Sequence, residues 1–157
     1  MRVLLQRVRE ASVVIDGETV GAIGTGLLLL AGFTSGDGQS EIDWMARKCA
    51  GLRIFPDDAG KMNRSVRDVT GEVLVVSQFT LYGNALKGQR PSFIEAEAPE
   101  RAERLYQEFA GRVGEEVGRP TQTGRFGADM KVHLINDGPV TLWLDRPPKV
   151  TGSPEVV

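Results

Sequence analysis

The sequence predicts a single α+β domain, built on a mainly antiparallel β-sheet with two helices packed on one side. Three observations indicate this class: short apolar or alternating runs typical of strands, two segments with helical periodicity, and strands on both sides of each helix along the chain. The length of 157 residues, with 41% hydrophobic and 25% charged residues, is typical of one globular domain with its own core.

A β-hairpin is predicted near the start of the chain. Residues 2–8 have strand character, and residues 11–15 and 19–23 flank Asp16-Gly17, a dipeptide that readily supplies the positive φ angles of a hairpin turn. Residues 26–32 then form a continuous apolar run between glycines, which is typical of a strand covered on both faces. We therefore expect a central strand at residues 26–32.

Two helices are predicted from the spacing of apolar residues. The first extends over about residues 41–52, with Ser40 as its N-cap, and the second begins at Pro99. The residues of each apolar stripe lie three or four positions apart: Ile42, Met45, Ala46, Cys49 and Leu52 in the first helix, and Leu105, Phe109 and Val113 in the second.

The remaining strands are predicted at the β-branched run 73–77, at the alternating segment 130–134 and at residues 140–144. The last two are separated by a turn that contains Gly138 and Pro139. Glycine permits unusual φ angles, and proline removes an amide donor and allows a cis peptide bond. On residue types alone, an ordinary β-turn is the simplest interpretation.

Composition argues against several classes of function. The single cysteine, Cys49, excludes an internal disulfide, and the single histidine, His133, leaves no cluster that could hold zinc. No metal or cofactor is therefore expected. Cys49 and His133 are both expected to have structural roles. The net charge of −2 argues against binding of nucleic acid by bulk electrostatics, so any nucleic-acid contact must be local, and no DNA partner is expected. Because we find neither a membrane-length apolar run nor a secretory signal, we expect a cytoplasmic protein.

The run Ser77-Gln78-Phe79-Thr80 is the first candidate for chemistry, because an apolar strand passes directly into polar residues. Polar groups at a strand end can converge on a ligand while the sheet holds them rigidly. The alternative is a strand end whose hydroxyls satisfy local backbone groups. Neither Ser77 nor Thr80 has a recognisable activating base, since His133 falls in an alternating strand outside any Ser-His-Asp pattern.

Two basic segments could contact phosphate groups. Lys61, Arg64 and Arg67 form the first, and Lys87-Gly88-Gln89-Arg90-Pro91 forms the second, directly after the polar run. For either segment alone, solvated surface charge is the simpler explanation.

Two runs taken together, residues 77–81 and the segment Asn136-Asp137-Gly138-Pro139-Val140-Thr141, resemble the signature pair of the D-aminoacyl-tRNA deacylase family. The resemblance extends from Met1 to about Asp145, so we expect one domain over residues 1–145 and a disordered tail over residues 146–157. Shorter matches lie at Gln6-Arg7-Val8, Ala11-Ser12-Val13, Leu52-Arg53-Ile54-Phe55, Gly60-Lys61-Met62-Asn63-Arg64-Ser65, Arg90-Pro91-Ser92-Phe93 and Thr123-Gly124-Arg125-Phe126-Gly127.

This resemblance implies an enzyme that hydrolyses the ester bond of D-aminoacyl-tRNA and releases free D-amino acid and tRNA. It implies a homodimer in which Gly138-Pro139, as a cis peptide supported by Arg7, reaches into the partner's pocket and rejects L-amino acids. Backbone carbonyls would accept hydrogen bonds from the α-ammonium group, while the backbone blocks an L side chain. Glycine has no side chain to reject, so glycyl-tRNA mischarged on tRNA(Ala) is a second expected substrate.

The resemblance also places Ser77, Gln78, Phe79 and Thr80 around the scissile ester as the catalytic group. An aminoacyl ester is already activated, so we expect the pocket to orient it and backbone N–H groups to stabilise the oxyanion, with the 2′-hydroxyl of the tRNA assisting attack by water. Covalent attack by Thr80 is the competing hypothesis.

Phe126 and Met130 are placed beside the terminal adenine by the same resemblance; core packing is the alternative for both. Two other classes of function stay open. The first is a non-catalytic module that binds the 3′ end of tRNA, and the second is a general esterase with a serine nucleophile, although the sequence has no Gly-x-Ser-x-Gly elbow.

Overall fold

The computed structural model describes residues 1–150, and all structural statements concern this part of the chain. The elements in chain order are β1 (Arg2–Ile15), β2 (Glu18–Ile23), β3 (Gly26–Gly32), α1 (Gln39–Gly51), β4 (Phe55–Pro56), β5 (Met62–Arg64), β6 (Glu72–Ser77), a 3₁₀ turn (Phe79–Tyr82), α2 (Pro99–Val117), β7 (Gln122–Thr123) and β8 (Lys131–Asp145). The predicted class, two helices on a sheet in which most pairs are antiparallel, is confirmed.

The main sheet has the strand order β2-β1-β3-β6-β7, and β8 pairs with β1. Strand β1 pairs antiparallel with β2, β3 and β8, whereas β3 with β6 and β6 with β7 are parallel. Parallel neighbours need a long crossover connection, and α1 and α2 lie in the two crossovers. The two helices thus lie in the connections that these parallel pairs require.

Strand β1 is a single strand where two were expected, at residues 2–8 and 11–15. Its first half pairs with β3, its second half pairs with β2, and β8 pairs with it along most of its length. Its register against β8 shifts between Gln6 and Val8 and again between Val8 and Glu10. Such irregularities bend a strand without ending it, so the residues between the expected strands remain in the sheet.

The central strands β3 and β6 are buried on both faces, as the continuous apolar run of residues 26–32 predicted. Leu29 and Val75 pack with Phe109 of α2 in one cluster, and Leu28 and Leu74 belong to a second cluster. The second cluster is formed with apolar residues of β1 and β2. The central strands are thus covered by helices on one face and by the second half of β1 and by β2 on the other.

Both helices form where they were predicted, but the N-cap of α1 is Gly38 and not Ser40. The carboxylate of Glu41 accepts a hydrogen bond from the Gly38 N–H at 3.0 Å, and the Ser40 hydroxyl donates to Glu41 at 2.7 Å. The backbone amide at the helix start is therefore satisfied by Glu41, and Ser40 lies inside the first turn. Helix α2 begins at Pro99 as predicted.

The predicted turn at residues 137–139 is wrong, because β8 is continuous from Lys131 to Asp145. Asn136 lies opposite Val8 and Thr141 opposite Gln6, so residues 137–140 form a bulge beside a single residue of β1. Proline is tolerated there because a bulge on an outer strand needs no ladder hydrogen bond from it. The peptide bond between Gly138 and Pro139 is cis.

The first residue of the segment expected to be a disordered tail contacts the rest of the chain. The Arg146 N–H donates to the carbonyl of Met1 at 2.9 Å, and the Arg146 guanidinium lies 5.1 Å from the centre of the Trp44 ring. The part of the expected tail at 151–157 lies outside the described residues. Over residues 1–150, no helix is both long enough and apolar enough to span a membrane.

Cys49 is buried in the core, as predicted from its position on the apolar stripe of α1. Burial raises the pKa of its thiol to about 12, so the thiol is uncharged at neutral pH. The predicted structural role of Cys49 agrees with this environment.

Candidate functional site

A cavity of about 630 Å³ opens where β6 ends, and Ser77, Gln78 and Phe79 line it. The Gln78 N–H donates to the carbonyl of Ala31 in β3 at 2.8 Å, so the backbone at the strand end is held by the neighbouring strand. The other walls are the start of α2 and the segment 126–130. The sheet therefore presents the polar run at the edge of a formed cavity.

Phe126 and Met130 lie in the wall of the same cavity. The centre of the Phe126 ring is 6.1 Å from the centre of the Tyr106 ring, and the Tyr106 hydroxyl donates to the buried carbonyl of Val75 at 2.8 Å. Burial raises the pKa of Tyr106 to about 12, so its phenol keeps the proton for this hydrogen bond. Phe126 thus packs against an aromatic ring that is bonded to β6.

Gly124 was not singled out as a site residue, yet it determines where Met130 can lie. A Cβ atom at this position would be 2.5 Å from the Met130 sulfur and 3.5 Å from Val13 Cγ1. The missing side chain leaves room for the thioether against the backbone. The run of residues 123–127 in the sequence was the signal that could have identified it.

The hydroxyl of Thr80 accepts a hydrogen bond from the Gln78 side-chain amide, and the Thr80 side chain is exposed. An amide N–H donates a proton and cannot remove one, so this contact does not activate the hydroxyl as a nucleophile. Within the described residues, no hydrogen bond joins Thr80 or Ser77 to a histidine or a carboxylate. His133 lies in the wall of a different cavity, formed by β1, β2 and β8.

Two carboxylates line the cavity, and both are already paired. Glu97 forms an ion pair with Arg101, and Asp129 contacts Lys131 at 3.1 Å. Over residues 1–150, no group of three or more His, Cys, Asp or Glu side chains is placed to hold a metal ion. The polar run itself contributes hydroxyl, amide and backbone groups to the cavity wall.

An aromatic pair lies at the cavity wall beside the polar run. Phe79 is 57% exposed, and its ring meets that of Phe93 edge-on with the centres 5.3 Å apart. Exposed aromatic rings in a concave site are typical of surfaces that contact a ligand. Phe93 was not proposed as a site residue, although it ends the Arg90-Pro91-Ser92-Phe93 run.

Arg7 holds the bulge of β8 in place. Its Nε donates to the Asp137 carbonyl at 3.0 Å, and its Nη1 donates to the Ile54 carbonyl at 2.6 Å. Gly138 has a φ of +128°, and a Cβ atom there would lie 2.8 Å from Arg7 Nη2. Only glycine combines this φ with the close approach of the guanidinium.

Asn136 closes the base of the bulge. Its side-chain amide donates to the carbonyls of Arg7 and Val140, both at 3.0 Å, and its oxygen accepts from the Thr141 hydroxyl at 3.3 Å. The amide thus bridges β1 to both sides of the bulge. This geometry gives the Asn136 and Thr141 positions of the sequence run a structural role.

The structure separates the predicted site residues into two groups. Ser77, Gln78 and Phe79 share the cavity with Phe126 and Met130, and Thr80 follows directly. The second group consists of Arg7, Gly138 and Pro139. Within residues 1–150 of one chain, these three residues do not line the cavity. Gly138 and Pro139 are exposed on β8, while Arg7 is half-buried beneath them.

The model of the family described as D-Tyr-tRNA(Tyr) deacylase matches residues 4–145. A relative from Magnetococcus marinus is 58% identical over 149 residues, which is 95% of this chain and 99% of the relative. Another from Geobacter sulfurreducens is 59% identical over 145 residues, covering 92% of this chain and 95% of the relative. Both relatives are named D-aminoacyl-tRNA deacylase.

Two solved structures share the fold. One, described as c-Myc DNA Unwinding Element Binding Protein, has a TM-score of 0.88 and 44% identity and covers 94% of this chain and 99% of its own. The other, a probable eukaryotic D-amino acid tRNA deacylase, has a TM-score of 0.78 and 18% identity over 92% of this chain and 98% of its own, so it supports the fold alone. The resemblance in the sequence is thus confirmed, and the chain belongs to the D-Tyr-tRNA(Tyr) deacylase family.

Proposed function

We propose that this protein hydrolyses the ester bond between a D-amino acid and the 3′ end of tRNA, in the cytoplasm. Water adds to the ester carbonyl, the bond to the ribose oxygen breaks, and the products are a free D-amino acid and tRNA. The observation that carries the proposal is the cavity in which residues 77–79 meet Phe126 and Met130, in a chain of this family. The cavity volume of about 630 Å³ lies in the range of about 300–1,000 Å³ that is usual for small-molecule sites.

The terminal adenine binds beside Phe126 and Met130. An aromatic ring and a polarizable thioether both stack favourably on a base, and such stacking tolerates any tRNA. Phe126 packs against Tyr106, whose hydroxyl is bonded to the Val75 carbonyl of β6. This contact places the ester near the end of β6.

The polar run orients the ester, and the backbone N–H groups of Phe79 and Thr80 stabilise the oxyanion, since the Gln78 N–H already donates to the Ala31 carbonyl. Preorganised donors of this kind are the largest single contribution in many acyl-transfer sites. The 2′-hydroxyl of the terminal ribose assists the attacking water, because no histidine or carboxylate among residues 1–150 is hydrogen-bonded to the hydroxyls of Ser77 and Thr80. The substrate thus supplies the group that the cavity lacks.

Replacing Thr80 separates this mechanism from covalent catalysis. We expect Thr80→Ala to keep kcat for D-tyrosyl-tRNA within about tenfold of the parent, because it loses one hydrogen bond and no nucleophile. Mass spectrometry of the parent during turnover should show no acyl adduct. Loss of all activity in Thr80→Ala together with an adduct on the parent would establish Thr80 as the nucleophile.

Rejection of L-amino acids is assigned to Gly138 and Pro139 of a partner subunit in a homodimer. The support is that both residues are exposed, that Arg7 and Asn136 hold their backbone, and that neither lines the cavity of its own chain. Their carbonyls accept hydrogen bonds from the α-ammonium group, and the adjacent backbone leaves no space for an L side chain. Glycyl-tRNA mischarged on tRNA(Ala) is accepted, since glycine has no side chain.

A subunit-mixing experiment tests the site shared between subunits. We expect Gln78→Ala and Arg7→Ala each to lower activity, one in the cavity and one beneath the bulge. Unfolding and refolding an equal mixture makes half of the dimers hybrid, and each hybrid has one intact site, so about one quarter of the parental activity should return. Activity no higher than the mean of the two variants would show that each site belongs to one chain.

The decisive assay for the function is metal-free hydrolysis of D-tyrosyl-tRNA and L-tyrosyl-tRNA, each compared with a no-enzyme control. Loss of the D-ester alone supports the deacylase and its chiral selection together. Hydrolysis of both esters would indicate an esterase without chiral selection. Tight binding of tRNA with loss of neither ester would favour the alternative, a non-catalytic module for the 3′ end, which the lack of a general base leaves open.

A further inference from the structure

Residues 83–94 form an arm beside the cavity, which we call the cavity arm. Asn84 and Ser92 pair across its base, with N–H to carbonyl distances of 2.7 and 2.8 Å. The Leu86 N–H donates to the Asn84 side chain at 3.0 Å, and Gly88 has a φ of +67° where the chain reverses. The tip therefore projects up to about 13 Å beyond the paired base, at about 3.3 Å for each residue.

The base of the cavity arm is attached to the cavity. Phe93 lines the cavity beside Phe79, and a Cβ atom on Gly83 would lie 2.7 Å from Phe93 Cε1, so the ring rests directly on the backbone. After the arm, the Thr34 hydroxyl donates to the Glu95 carbonyl at 2.6 Å. The base of the arm is thus fixed against the cavity by contacts on both sides.

The tip carries two cations and no acid. Lys87 and Arg90 are both exposed, and within the described residues neither forms an ion pair or a hydrogen bond. No aspartate or glutamate occurs between Glu72 and Glu95, although the whole chain has a net charge of −2. Elsewhere, five cations pair with carboxylates, namely Arg2, Arg64, Arg101, Arg112 and Lys131. Other exposed cations among residues 1–150, such as Arg47 and Lys48, do not, so the distinctive feature of the tip is two cations in a stretch of sequence without acids.

We propose that the cavity arm binds the phosphodiester backbone of the tRNA acceptor end through Lys87 and Arg90, while the cavity holds the aminoacylated terminal nucleotide. The inference rests on the proposed function and extends it to the rest of the substrate. Cations without carboxylate partners keep their charge available for a phosphate. A tip that extends at most about 13 Å beyond the paired base lies within about four nucleotide spacings of it, at about 3.4 Å each in a duplex. Phosphate contacts position a nucleic acid without reading its sequence.

The test compares the double variant Lys87→Ala/Arg90→Ala with the control Arg47→Ala/Lys48→Ala, which removes two exposed charges from α1. Hydrolysis is measured on D-tyrosyl-tRNA and on 3′-O-D-tyrosyl-adenosine, which lacks the phosphates, at several salt concentrations. For the arm variant we expect kcat/KM on D-tyrosyl-tRNA to fall about tenfold through KM, with no change on the adenosine ester. The slope of log kcat/KM against log salt should become shallower by about 2, and the control should match the parent.

Three results would overturn the proposal. The first is an arm variant with the parental KM and salt dependence, and the second is a control variant with the same loss as the arm variant. The third is an equal loss on both substrates, because the arm would then shape the cavity and not bind phosphate. Equal melting temperatures of the variants and the parent check that folding is intact.

A failure of the proposed function is distinguishable from a failure of this inference. If the parent hydrolyses neither D-tyrosyl-tRNA nor the adenosine ester, the deacylase proposal fails by itself. The arm is then tested by binding of a fluorescent RNA minihelix that ends in a single-stranded CCA. Weaker binding by the arm variant alone supports the phosphate contact, and equal affinity of all three proteins overturns it.

Discussion

At the scale of single residues, the absence of a Cβ atom determines where three neighbouring side chains lie. Gly138 leaves space for Arg7, Gly124 leaves space for Met130, and Gly83 leaves space for Phe93. A Cβ atom at any of these three glycines would lie 2.5–2.8 Å from the neighbouring side chain. Met130 and Phe93 line the cavity, and Arg7 holds the bulge. Gly138 differs from the other two because its φ of +128° also disfavours any L residue.

Replacing Gly138 by alanine should lower the free energy of unfolding by about 1–3 kcal/mol, because the new Cβ meets Arg7 Nη2 in a backbone conformation that L residues rarely adopt. The matched control is Gly111→Ala, an exposed position in α2 where a Cβ atom meets nothing within 4 Å. The control should gain about 0.5–1 kcal/mol. Chemical denaturation measures both, and equal changes in the two variants would contradict the close contact at Gly138.

At the scale of elements, Arg112 joins the two helices. Its Nε donates to Asp43 of α1 at 3.0 Å, and its Nη2 pairs with Glu116 of α2 at 2.6 Å. The hydrogen bonds from Gln39 and Arg112, together with the charge of Arg112, hold the pKa of the Asp43 carboxyl below its usual value of 3.8. The start of α1 is therefore bonded to α2 through the Asp43 carboxylate, whose charge depends on pH.

The stabilisation from Asp43 should be present above pH 3.8 and should be lost as the pH falls through the lower pKa of the folded state, since the unfolded chain binds the proton first. The variant Asp43→Asn should therefore lose stability relative to the parent near neutral pH and show a smaller further decrease below pH 3.8. For Arg112→Gln, which keeps the hydrogen bond from Gln39 to Asp43, the loss of stability below pH 3.8 should lie between that of the parent and that of Asp43→Asn. Melting temperatures measured from pH 7 to pH 2.5 test this, and parallel curves for Asp43→Asn and the parent would refute it.

At the scale of the whole molecule, the sheet brings together segments that are distant in the chain. The cavity combines the end of β6 with the start of α2 and the segment before β8, and the bulge of β8 lies outside it. Arg146 then returns the chain to Met1 and Trp44. The ends of the described chain are thus joined beside the helices.

Ending the chain at Asp145 should lower stability compared with a chain that ends at Val150, the last described residue. The shorter variant loses the hydrogen bond from Arg146 to Met1 and the contact with the Trp44 ring, each of which contributes about 0.5–1.5 kcal/mol. The melting temperature should decrease by about 2–4 °C for each kcal/mol lost. Equal melting temperatures would mean that residues 146–150 contribute nothing to folding.

Local sequence determined the type of most elements and part of the site. The two-sided apolar run of β3, the stripes of both helices and the buried Cys49 follow from spacing along the chain, and the structure agrees with each. The polar run at 77–80 was identified because it directly follows a strand. Strand and helix patterns depend on residues close together in the chain, so they can be recognised in a single sequence.

Only the tertiary structure decided which of these pieces meet. The continuity of β1 and β8, the bulge at Gly138 and the cavity shared by Ser77 and Phe126 depend on register between strands far apart in the chain. The residue that caps α1 was likewise decided by the reach of Glu41 back to Gly38. Local propensity has little influence on such pairings, because the free energy that favours them comes from burial and hydrogen bonds between segments distant in the chain.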